Sequence, residues 1–250
     1  LRNSRSGFAI VEEFVEGTEV QVDCFVQDGL ATIIMVREKV KAKQMNGVVL
    51  QSVGSLVPAG ISDNALSNIQ RIANEIAIKF GLVNTSMFIQ AIVNGDSVTV
   101  IEFAARIGGG LSYRMIEVIS GFDVVNSAIN SYFKQKSDLS FRRAKSNYAT
   151  ILVYTFPGVL CEIVGQDELL KKGIIQEFYR LKANGSIIGP DIASKNRVAA
   201  LLLNADSRQA LVNRMEQVMK HLEVYDESGK PILRRDLYAL GNNQEDCLRS

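Results

Sequence analysis

Apolar residues alternate with polar ones near the start of the chain. Residues 8–15 and 19–26 are two β-rich runs separated by Glu16-Gly17-Thr18. In the second run Val20, Val22, Cys24 and Val26 share one face, and Glu19, Gln21, Asp23 and Phe25 the other. Asp28-Gly29 makes a tight turn into a third strand over residues 30–37. Three strands joined by short turns predict an antiparallel meander. Residues 37–58 begin basic, contain glycine and have no clear period, which predicts a surface excursion. Leu66, Ile69, Ile72, Ala73, Ile76 and Phe80 then recur at helical spacing. Asp63 is the expected N-cap of that helix and Gly81 its C-cap. Residues 87–93 and 97–103 predict a hairpin closed at Asn94-Gly95-Asp96. After Arg106-Ile107-Gly108-Gly109-Gly110 a helix is expected over 111–119, and Asp123 caps another reaching Phe133.

A polar, basic stretch at 137–146 is the expected linker. Beyond it, strands are expected at 149–156, 174–181 and 198–204, with turns between the last two. A final helix runs from Asp206-Ser207 to about Leu222, and the polar tail after Gly241 is expected to fray.

The length, 250 residues, suits one large domain or two small ones at roughly 100–200 residues each. With 47% apolar and 22% charged residues the chain is built to fold, not to stay disordered. Its 28 basic and 27 acidic residues leave a net charge of +1, so charge gives no case for nucleic acid or an anionic membrane as partner. Apolar runs such as residues 199–203 are too short to span a bilayer. Cys24, Cys161 and Cys247 are odd in number and scattered, which fits a reducing cytoplasm better than a disulfide framework. Cys24 and Cys161 are expected in the core and Cys247 in the tail. The single histidine, His221, is expected on the surface near a helix C-terminus. The chain opens at Leu1 within a β-rich region, which suggests a piece of a longer protein.

Two groups of residues carry candidate chemistry. In Glu12-Glu13-Phe14-Val15-Glu16-Gly17-Thr18-Glu19, acids flank a strand and a turn. Free backbone groups at a strand end can pair with a purine edge, and a nearby carboxylate can accept from ribose hydroxyls. Taken alone, the same residues favour an ordinary hairpin with exposed acids. The second group is Gln90, Glu102 and Arg106. Gln90 and Glu102 lie on the two arms of the predicted hairpin and can face one another. One carboxylate and one amide oxygen suit magnesium, which keeps waters and bridges to phosphates. Arg106 beside them suits a phosphate or carboxylate, and the glycines that follow let backbone approach a ligand. A surface Glu–Arg pair beside a flexible turn remains the plainer alternative.

Taken together, the two groups resemble the ATP-grasp superfamily, in the C-terminal half of its nucleotide-binding fold. The resemblance covers residues 8–133 and rests on the acidic strand with Gly17-Thr18-Glu19 and on Gln90 with Ile101-Glu102-Phe103-Ala104-Ala105-Arg106-Ile107-Gly108-Gly109. It implies an α+β fold in which an antiparallel sheet with helices, residues 1–136, precedes a smaller α+β domain, residues 147–240. It further implies an ATP- and Mg2+-dependent ligase that joins small-molecule carboxylates and amines, or thiols, through an acyl phosphate, with a homodimer allowed. On this resemblance Glu13 and Val15 contact adenine through their backbone, with Glu12 and Phe14 beside them, and Glu19 binds ribose. Glu102 and Gln90 hold magnesium, and Arg106 holds the transferred phosphate or the substrate carboxylate. Arg37, Lys39, Gly108 and Gly109 face phosphate or substrate. The usual Glu-x-Asn-x-Arg pattern is broken at Ala104, which removes one ligand oxygen and puts a second magnesium in doubt. The family's Gly-rich triphosphate loop and its lysines are not found in this sequence. The rival reading is a non-catalytic scaffold or dimerisation fragment of an ATP-grasp protein.

Overall fold

The computed structural model describes residues 6–42, 51–142 and 145–238. Cys247 and the tail after Gly241 lie outside them, as do residues 143–144 of the expected linker. The fold is α+β and dominated by one antiparallel sheet.

In chain order the strands of the first part are β1 (Thr18–Gln27), β2 (Leu30–Lys41), β3 (Ser52–Val57), β4 (Asn84–Asn94) and β5 (Ser97–Ala104). Helix α1 (Asp63–Lys79) joins β3 to β4, and α2 (Ser112–Ser120) and α3 (Val124–Tyr132) follow β5. Then come β6 (Asn147–Val153), β7 (Gly158–Val164), α4 (Gln166–Lys171), β8 (Glu177–Arg180), β9 (Ile187–Ile188), β10 (Ala199–Ala205), α5 (Arg208–His221) and β11 (Glu223–Asp226). The main sheet has eight strands in the order β5-β4-β1-β2-β3-β6-β10-β8, and β11-β7-β9 form a small second sheet. The pairing of β3 with β6 carries the main sheet from the first part of the chain into the second.

Three expectations about the strands fail here. Residues 8–15 form no strand; β1 is already paired on both edges, by β2 and β4, so no ladder is open to them there. Of the expected surface excursion over 37–58, residues 43–50 lie outside the described residues, and 37–42 and 51–57 belong to the sheet or lie beside it. β2 continues to Lys41 and β3 lies inside the sheet, with Val53–Val57 buried. Covered on both faces, these strands show no alternation to read. Cys161 is exposed, because β7 turns Leu160 and Ile163 to the core and Cys161 away from it. Cys24 is buried, and burial raises its thiol pKa.

Helix α1 shows how the first layer packs. Its N-cap is Ser62, whose hydroxyl accepts from the Ala65 N–H, not Asp63. The fully buried column is Ala65, Ile69, Ala73 and Ala77, set against Val20, Val22 and Cys24 of β1 and Met87 and Ile89 of β4. Phe80, expected in the stripe, is mostly exposed and stacks edge-on against Phe103. Small side chains let the helix lie close to the sheet, so the contact line follows the alanines. On the opposite face Phe25, Ile34 and Met35 meet Met115 and Ile116 of α2 and Phe122. A third cluster, with Ile151, Leu201, Leu203, Met215 and Val218, fills the C-terminal part under α5. Among the described residues no helix is long and apolar enough to cross a membrane.

Replacing Ala73 by Leu should lower stability by about 1–3 kcal/mol through overpacking. Urea unfolding checks this, and an unchanged midpoint would show that α1 does not lie that close to the sheet.

Candidate active site

The polar face of β1 is buried, which is where the site begins. Glu19, Gln21 and Asp23 alternate along it and are all nearly inaccessible. Above them passes the loop 108–110, held by Arg37 of β2. The Arg37 guanidinium is 1% exposed and donates to the carbonyls of Gly109 (2.5 Å) and Gly110 (3.1 Å) and to the Ser112 hydroxyl (2.6 Å). Its Nε lies 3.8 Å from Asp23 and makes no hydrogen bond. The Ser112 hydroxyl also accepts from Gln21 (2.9 Å) and donates to the Gly109 carbonyl (2.9 Å). Gly108 has no room for a side chain: a Cβ there would stand 2.1 Å from Gln21 Nε2 and 2.4 Å from Asp23 Oδ1.

The hairpin β4–β5 brings the second group together. Its register pairs Gln90 with Glu102, side by side on one face. Gln90 donates through Nε2 to Glu19, which leaves its carbonyl oxygen free to act as a ligand. Glu19 also forms an ion pair with Lys41, so its carboxylate is engaged from two sides. Arg106 lies over the Phe88 ring, 4.5 Å from its centre, and donates to the Ile107 carbonyl at 2.9 Å.

These elements enclose a cavity of about 190 Å³. Arg37, Lys39, Gln90, Glu102, Arg106 and Gly109 all line it. Four cations thus face one carboxylate, because Arg197 joins them from the far end of the chain. Of the remaining expected residues, Glu12, Glu13 and Phe14 are exposed and Val15 half-buried, outside both the sheet and this cavity. The sequence assigned no role at the site to Gln21, Asp23, Ser112 or Arg197. Polar residues at alternate strand positions read as a solvent face, and Arg197 is brought in only by the order of strands in the sheet.

Lys39 shows the electrostatic consequence. Its ammonium donates to Gln21 Oε1 at 2.8 Å. Burial above all, then repulsion from Arg37, lowers its pKa from 10.5 to about 7, with Asp23 and Glu102 opposing and Arg197 reinforcing the shift. Among the described residues no three His, Cys, Asp or Glu side chains cluster as a metal site would. Glu102 and the Gln90 carbonyl are the available oxygens. They fit a hard cation that takes its other ligands from water and phosphate.

A family model for the ATP-grasp domain matches residues 2–114. No curated protein matches the chain in sequence. Among solved structures, an L-amino acid ligase from Bacillus licheniformis is similar at a TM-score of 0.73 and 16% identity, covering 86% of this chain and 55% of its own. A phosphoribosylglycinamide synthetase from Anaerococcus prevotii gives 0.67 and 18%, covering 86% and 55%. A biotin carboxylase from Campylobacter jejuni, as a β,γ-ATP complex, gives 0.69 and 12%, covering 95% and 52%. The chain therefore spans about half the length of the structures it matches.

Lys39 makes the fold's stability depend on pH. Between about pH 7 and 10.5 the unfolded chain binds more protons at this lysine than the native one, so its contribution rises with pH. Below pH 7 both states are protonated and the full cost of the buried charge remains. The gain in urea midpoint from Lys39→Met should therefore be larger at pH 7 than at pH 9. An equal gain at both would mean that Lys39 keeps an ordinary pKa.

Proposed function

We propose that the chain, whose residues 2–114 match a family model for the ATP-grasp domain, forms the C-terminal part of an ATP- and Mg2+-dependent ligase. Such an enzyme joins a small-molecule carboxylate to an amine, or to a thiol, through an acyl phosphate. The observation that carries this reading is the register pairing of Gln90 with Glu102 in one cavity with Arg106 and the glycine loop. A carboxylate oxygen of the substrate attacks the γ-phosphorus and ADP leaves. The amine nitrogen then attacks the acyl carbon, and phosphate departs as the C–O bond breaks.

The chain's own side chains position and neutralise charge, as phosphoryl transfer requires. Arg106 is the cation for the transferred phosphate or the substrate carboxylate, set over the Phe88 ring. Glu102 and Gln90 would hold magnesium, which supplies neutralisation of phosphate charge when bound. Arg37 keeps Gly109 and Gly110 in place from beneath, so the loop offers its backbone without moving. Glu13 and Val15 are assigned to the adenine edge through their backbone, with Glu12 and Phe14 beside them, and Glu19 to ribose. Ribose hydroxyls would then share the Glu19 carboxylate with Lys41 and Gln90.

In the whole enzyme, Glu102→Ala should lower kcat about a hundredfold or more, the scale of losing one charge-stabilising group in the transition state. Glu19→Ala should raise KM for ATP and leave kcat nearly unchanged, because ribose is the same in the ground and transition states. Steady-state kinetics with phosphate release as the readout separates the two. A near-normal kcat in Glu102→Ala would sink the assignment.

A further inference from the structure

Arg197 enters the cavity with no carboxylate beside it. It follows a single 3-10 turn, Ser194–Asn196, in which the buried Asn196 accepts from the Gly189 N–H (3.3 Å) and donates to the Asp191 carbonyl (2.8 Å). Those bonds fix the backbone from which Arg197 departs. Its Nε donates to the Tyr154 hydroxyl at 2.6 Å, and the guanidinium carbon lies 5.6 Å from the centre of that ring. Tyr154 is 2% exposed and anchored in turn: its N–H donates to the Tyr238 hydroxyl (2.9 Å) and its own hydroxyl to the Ser52 carbonyl (3.4 Å). Turning the Gln51 amide end for end lets its oxygen accept from Arg197 Nη2 at 3.0 Å. Every partner of this guanidinium is neutral, and among the described residues no acid pairs with it.

The other charges of the cavity are already committed. Arg37 is used by the loop carbonyls and Asp23, and Arg106 and Glu102 by the roles given above. Arg37 and Lys39 only repel Arg197. A cation rigidly held by neutral groups among other cations is stabilised when an anion arrives from outside.

We propose that Arg197 is a substrate-binding residue that holds an oxyanion, carboxylate or phosphate, in addition to the group held by Arg106. The C-terminal part of the sheet then helps decide which acid the site accepts. Assigning the anion to the substrate rests on the ligase reading; the anion site itself does not.

Isothermal titration of the 250-residue chain with succinate, with inorganic phosphate and with acetate tests this at low salt. Succinate or phosphate should bind more tightly than acetate, and whichever binds identifies the oxyanion class. Arg197→Gln should weaken that binding roughly tenfold, the scale of one charge-assisted contact. Arg197→Lys should restore part of it. Tyr154→Phe, which keeps the charge but removes the Nε acceptor, should fall between the two. Arg180→Gln, on the exposed end of β8, should change nothing. Equal affinity in wild type and Arg197→Gln, or no binding of either anion by the folded chain, would overturn the proposal. If Arg197→Gln does not fold, the comparison of wild type with Arg197→Lys and Tyr154→Phe decides. Arg197-dependent binding in a whole enzyme that forms no acid-dependent ADP would refute the ligase reading and support the anion site. ADP formation with unchanged KM for the acid in Arg197→Gln would do the reverse.

Discussion

The buried guanidinium of Arg37 is the interaction on which the site depends. Placing a charge 1% exposed between a sheet and a loop costs several kcal/mol unless its donors are met. Two loop carbonyls and the Ser112 hydroxyl meet the Nη donors, while Nε, which makes no hydrogen bond, has Asp23 3.8 Å away as a counter-charge. The same contacts tie β2 to the glycine loop and to the first turn of α2. They also allow Gln21 and Asp23 to be buried, since each polar group finds a partner in the network. Removing Arg37 would deprive the buried Asp23 of its nearest counter-charge, leaving it the hydrogen bonds from Gln21, and the loop of its lower support.

Order in the sheet, not order in the chain, assembles the cavity. β5 brings Glu102 and β4 Gln90 from one side, and β2 brings Arg37 and Lys39 from the middle. β3 and β6 add a pair of facing hydroxyls, Ser55 and Thr150, 2.8 Å apart. Arg197 stands just before β10, which pairs with β6. Nearly 100 residues separate Glu102 from Arg197, yet both line the same small space.

How much of this was legible in the sequence follows from how local each signal is. Asn94-Gly95 marks the hairpin and so puts Gln90 and Glu102 on its two arms, but the turn register alone would set Gln90 opposite Ile101; a register shift between Gln90 and Ala91, which the sequence does not show, brings Glu102 opposite Gln90. Asp123 capped α3 as expected, with its carboxylate accepting from Asn126 at 2.9 Å. Arg37 and Lys39 could be flagged as basic residues near a ligand, but their burial could not be read, because β2 and β3 are covered on both sides. Ala65 and Ala77 of the α1 column went unread because hydrophobic rank favours large side chains, whereas close approach favours small ones. β7, α4 and β11 were missed altogether; they are short and their apolar residues lack a sustained period.

The join between the two parts of the sheet also governs what the chain can survive. At Gly54 of β3, a Cβ would stand 2.3 Å from the Thr150 carbonyl oxygen of β6. The two strands therefore meet more closely than any side chain would permit, and β6 closes the edge that β3 would otherwise present. A piece of the chain cut before Asn147 would bare that edge, a flat row of unpaired N–H and C=O groups on a buried, apolar strand. Such an edge recruits strands from other molecules. The part of this protein that follows thus covers the open edge of the part that resembles a nucleotide-binding fold.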